Sequence, residues 1–116
     1  MLMQPDLFPE SLPKLVSVEN EEHDTTSDRF HRFHEANPAV YNAIVSMSKQ
    51  VRSKGLKKWS VRSAFHVLRY VSVNVDAGND YKINDNFSPF YSRMIQARVP
   101  ELSEFFVNKK SQADNE

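Results

Sequence analysis

No cysteine occurs in this chain of 116 residues. Disulfides, thiolate metal sites and cysteine nucleophiles are thereby excluded, and an intracellular setting is favoured. Glycine occurs only twice, so there is no glycine-rich loop to cradle a nucleotide phosphate. No apolar run approaches the roughly 18 residues that would span a bilayer. The N-terminus also lacks the basic segment followed by an apolar stretch that marks a secretory signal. These absences lead us to expect a soluble, cytoplasmic protein with no membrane partner. The most consequential absence is of acid: between Ala36 and Val75 there is neither Asp nor Glu.

That stretch holds seven cations: Lys49, Arg52, Lys54, Lys57, Lys58, Arg62 and Arg69. The whole chain is formally neutral, with fifteen basic and fifteen acidic residues, so charge is segregated and not in excess. Residues 1–28 carry seven acids against one base, and residues 29–110 carry fourteen bases against six acids. An acidic arm on a basic domain points to an anionic partner, most often nucleic acid. The chain has room for one domain with a modest core. Eight Phe, four Tyr and one Trp supply large buried areas per residue.

Three prolines (Pro5, Pro9, Pro13) and the run from Glu19 to Asp24 mark residues 1–27 as a flexible acidic arm. Its apolar residues, Leu15 and Val16 among them, suit a segment that binds a partner or masks the basic face. A helical domain is expected over 28–108, and a disordered polar tail over 109–116. The domain reads as mainly α. A short helix follows Ser27, with Asp28 in its first turn and Phe30 and Phe33 inward. Asn37-Pro38 is a cap-and-proline start for a helix to about Lys54, with Val40, Tyr41, Ile44, Val45, Met47 and Val51 at helical spacing. Gly55 ends it. Ser60 caps a second long helix with an apolar stripe of Val61, Ala64, Phe65, Leu68 and Val71. Val71, Val73 and Val75 also alternate as a strand would, so a short β-hairpin across residues 76–80 to Tyr81–Ile83 is a second option. A third helix starts at Ser88-Pro89 and stops before Pro100. A last short helix covers 101–107, with Leu102, Phe105 and Phe106 inward.

The best candidate for chemistry is the helix after Ser60. Arg62, His66 and Arg69 fall at i, i+4 and i+7, on one face and away from the apolar stripe. Ser63 lies beside them, and Lys57 and Lys58 precede the helix. Such a face suits a phosphate backbone or a major groove. With the helix before it, joined through Gly55, it makes a helix-turn-helix-like or winged-helix-like pair. Two other sets carry little. Asp76, Asp80, Lys82 and Asp85 include an acid-x-Lys pattern seen in one nuclease class, but Asp- and Gly-rich turns arise for backbone reasons alone. His31 and His34, three apart, lack further metal ligands. Asn84, Asp85 and Asn86 read as turn and capping residues. No Ser/His/Asp set can be placed. A non-enzymatic protein without cofactor or metal is expected.

Several blocks resemble a family of small bacteriophage and prophage proteins without an established activity. They are Phe33–Tyr41, Phe65–Tyr70, Tyr81–Phe87, Tyr91–Ile95 and Pro100–Phe106. Together they cover residues 30–107, leaving the acidic arm outside. The resemblance implies a phage or prophage origin and life in a bacterial cytoplasm, and it transfers no site residue. Small phage proteins commonly bind DNA or redirect a host protein. The leading expectation is therefore a DNA-binding protein that uses the basic helix face on the phosphate backbone. The alternative is an accessory protein that binds and modulates a host protein.

Overall fold

A computed structural model describes residues 15–56, 58–75 and 83–106. Helix α1 spans Thr26–Ala36, α2 Pro38–Ser53, α3 Val61–Val75 and α4 Ser88–Arg98. Two short 3-10 turns, Asp85–Phe87 and Pro100–Leu102, flank α4. Among the described residues there is no strand, only an isolated parallel bridge between Trp59 and Phe106. The domain is mainly α, as the apolar spacing predicts.

Helix α1 starts two residues earlier than expected because Thr25, not Ser27, caps it. The Thr25 hydroxyl accepts from the Asp28 backbone N–H at 3.1 Å, and the Asp28 carboxylate accepts from the Thr25 N–H at 3.0 Å. This reciprocal capping box places Asp28 as the third helical residue. A domain boundary at 27/28 would therefore cut through the cap.

Asn37 stands at the start of α2, but it makes no side-chain cap bond. Its carboxamide turns instead to the segment before α1. Asn37 Oδ1 accepts from the Val16 N–H at 2.6 Å, and Nδ2 donates to the carbonyls of Val16 at 3.0 Å and Phe33 at 3.1 Å. Asn37 is buried, and these bonds offset the cost of removing its amide from water. Leu15 packs against the core beside this clamp. Arg32 pairs with Asp24, and Arg29 donates to the Glu21 carbonyl at 3.3 Å. Residues 15–25 thus lie along α1 and the start of α2. Residues 1–14 and 107–116 fall outside the described residues.

Helix α2 ends as Gly55 predicts. Gly55 has φ +92°, the left-handed region that Gly enters without steric cost. Its N–H donates to the Arg52 carbonyl and that of Leu56 to the Val51 carbonyl, the pair of bonds that defines a Schellman stop. Helix α3 is capped by Ser60, whose hydroxyl accepts from the Ser63 N–H at 3.1 Å. The connection is held down by Trp59. Its indole donates to the Ser48 hydroxyl at 2.9 Å, and that hydroxyl donates to the Ile44 carbonyl at 2.7 Å.

Of the two readings of the valine alternation the helical one holds: residues 71–75 are the last turn of α3 and not a hairpin arm. An alternation of Val with polar residues over five positions is too short to override helix propagation from a well-buried first half. The proposed turn and most of the second arm, residues 76–82, lie outside the described residues. The last helix is also shorter than expected: a 3-10 turn over Pro100–Leu102 followed by turns. Ser88 is already helical, since the Asp85–Phe87 turn runs directly into α4.

The core gathers one face of every helix. Val40, Ile44, Met47 and Val51 of α2, Val61, Ala64, Phe65 and Leu68 of α3, and Phe90, Tyr91 and Ile95 of α4 are buried. Phe30 sits among rings: Phe90 stacks on it at 5.3 Å between centroids, and Tyr91 meets it edge-on at 4.8 Å. Leu102 and Phe106 close the far end.

Candidate nucleic-acid interface

Because the stripe Val61, Ala64, Phe65, Leu68 faces the core, the opposite side of α3 must face out. Arg62 and His66 are exposed there, and Lys58, three residues before the first helical position, is exposed as well. Among the described residues none of the three makes an ion pair. Tyr70, one turn beyond His66, is 66% exposed. Lys57 lies outside the described residues.

Two members of the predicted set are engaged within the fold. Ser63 is half-buried, and its hydroxyl lies 3.1 Å from that of Ser60, in the cap of α3. Arg69 is bound more firmly. Its Nη2 donates to the Ile83 carbonyl at 2.7 Å and to the Asp85 carboxylate at 2.7 Å. Its guanidinium also lies 5.8 Å from the Phe65 ring centroid. Arg69 therefore fastens the segment before α4 to α3 and is a bracing residue more than a ligand contact. The spacing that places it near Arg62 and His66 carries no information about Asp85, sixteen positions away in sequence.

Asp85 is the acid that Arg69 holds beside α3. The hydrogen bond from Arg69 holds its carboxyl below the usual carboxylate range, against some desolvation, and the positive charges of Arg69, Arg62 and His66 add to the effect. The face thus carries Lys58, Arg62 and His66 outward, with Asp85 and Arg69 paired at its edge. The balance of this face is cationic, and like-signed side chains on one surface attract an anion.

The described members of the weaker candidate sets have structural partners or surroundings. Asn84 accepts from the Asn86 N–H at 2.9 Å and caps the 3-10 turn. Asp85 is paired, and Asp76, Asp80 and Lys82 lie outside the described residues. His31 is exposed, whereas His34 stacks parallel to Phe30 with centroids 6.0 Å apart. No group of three or more His, Asp or Glu among the described residues could hold a metal ion. The His34 Nδ1 is buried with no hydrogen-bond partner. Burial lowers the His34 pKa, Arg98 and His31 lower it further, and Glu35 opposes them.

Sequence reasoning missed Tyr70 as part of the face, although it stands at i+4 from His66 and i+8 from Arg62. An aromatic residue in that position reads at first as core. No described helix is long and apolar enough to cross a membrane. No family model, no curated protein and no solved structure matches this chain.

Proposed function

We propose that this protein binds nucleic acid, DNA in a bacterial phage setting, by laying the exposed face of α3 on the phosphate backbone. The observation that carries the reading is the row of Lys58, Arg62 and His66, held outward by a fully buried opposite stripe, in forty residues of chain without an acid. Lys and Arg contacts to phosphate release condensed counterions, and that release drives sequence-independent binding. In this reading the α2–α3 pair is helix-turn-helix-like, with the exposed side of α3 turned to the ligand. Its connection over residues 54–60 is longer than the three or four residues usual for that motif, so contact along the backbone suits it better than a reading helix in the major groove. A winged form has little support, since residues 71–75 are helical.

The protein acts in this reading as a binder and not as an enzyme, and the resemblance to small phage and prophage proteins fits such a role. The test is anisotropy of a labelled oligonucleotide as salt rises. Affinity falls steeply with salt, and Lys58→Glu together with Arg62→Glu abolishes binding, whereas Arg52→Glu in the last turn of α2 does not. Absence of binding by the wild type turns the assignment to a host-protein partner.

A further inference from the structure

Among the described residues eleven are Phe, Tyr or Trp, and ten of these are buried or half-buried. The exception is Tyr70, at 66% exposure. It does not stand on a neutral patch. Arg62, His66 and Tyr70 succeed one another at four-residue steps, each about 40° round the helix and about 6 Å along it. They form one stripe on the outer side of α3, with Lys58 at its N-terminal end.

We infer that Tyr70 is a stacking platform for an unpaired base, so that the ligand of the α3 face is single-stranded nucleic acid. The inference rests on the phosphate-binding reading above and deepens it. A cationic groove or stripe that tracks the backbone, with an aromatic ring among the cations, is the arrangement by which proteins hold single strands without reading sequence. In a duplex the base planes are covered by their neighbours and only their edges reach a groove. A tyrosine ring on a helix face meets no free base plane there. In a single strand every base has an open π-face within reach of a backbone held by Arg62 and His66. Asp85 does not repel the strand at this point, because Arg69 binds its carboxylate.

Stacking and phosphate contact differ in salt dependence, which makes the two separable. The probes are a labelled oligothymidine of about 16 nucleotides, its duplex with oligoadenine, and an abasic sugar-phosphate chain of the same length. Tyr70→Ala and Tyr70→Gln weaken binding to the single strand by about 5- to 150-fold and leave the salt slope unchanged. Tyr70→Phe retains wild-type affinity. Neither Ala nor Gln changes binding to the abasic chain or the duplex, and both variants keep the wild-type circular dichroism. Equal losses on the abasic chain and the oligothymidine, or no loss at all, overturn the stacking role while leaving phosphate binding intact. If the wild type binds none of the three probes, the phosphate-binding reading fails and the stacking role fails with it.

Discussion

Arg62 and Arg69 look interchangeable as residues: both are cations on the outer side of one helix, two turns apart. Their surroundings make them different. Arg62 is exposed, and exposed substitutions usually cost within about 0.5 kcal/mol. Arg69 bonds to the carbonyl of Ile83, a residue only 4% exposed, and to Asp85. Hydrogen bonds to charged groups contribute about 1.5–3 kcal/mol, and the part shared with the half-exposed Asp85 is screened by water. Arg69→Ala is therefore expected to lower stability by about 1–3 kcal/mol and Arg62→Ala by a fraction of that, as read from urea unfolding. Equal midpoints for the two variants would show that Arg69 braces nothing. His34 supplies a pH dependence. Its folded pKa lies below the ordinary value of 6.5, so the unfolded chain binds the proton more readily. The His34 contribution to stability is therefore whole above about pH 6.5 and declines as pH falls below it towards the folded pKa. The melting temperature should drop between pH 7.5 and 5.5, and His34→Gln should reduce that drop. An unchanged drop would place its origin at another group.

At the level of elements, much was legible because the signals are local. Asn37-Pro38, Gly55, Ser60 and Ser88-Pro89 bracket α2, α3 and α4, and the apolar stripes within them form the core. What was not legible depends on residues distant in sequence. Asn37 was expected to cap α2, but its carboxamide clamps Val16, twenty-one positions away. The alternating valines over 71–75 satisfy two templates, and the helix already established by Phe65 and Leu68 in the core decides between them. The start of α1 was expected after Ser27, and it lies instead after Thr25. The reciprocal bonds of Thr25 and Asp28 fix that start. This yields an element-scale expectation: Thr25→Ala removes one capping bond and costs about 1 kcal/mol, a fall in melting temperature of about 4–8 °C for a domain of this size. A melting temperature unchanged by Thr25→Ala would mean that α1 does not depend on its cap.

Over the whole molecule, the segregation of charge was the feature that composition made plain, and the fold gives it a direction. Two acidic residues of the segment before α1 contact that helix: Asp24 pairs with Arg32, and the backbone carbonyl of Glu21 accepts from Arg29. The described part of the acidic arm thus accompanies α1, while α3 presents Arg62 and His66 outward from the other side of its buried stripe, with exposed Lys58 just before it. Sequence could place these residues on one face, but it could not show that Arg69 and Ser63 are held by the fold or that Tyr70 joins the row. Binding of a phosphate backbone by this face shows in the salt dependence of affinity for a labelled single strand, measured for wild type and for Lys58→Ala with Arg62→Ala. The expected result is a linear fall of log affinity with log salt in the wild type, and a slope shallower by about 1.4 in the variant, two contacts at about 0.7 each. No binding at about 50 mM salt with protein near 10⁻⁴ M, where non-specific contacts already suffice, or an identical slope in the variant, would mean that this face does not hold phosphates.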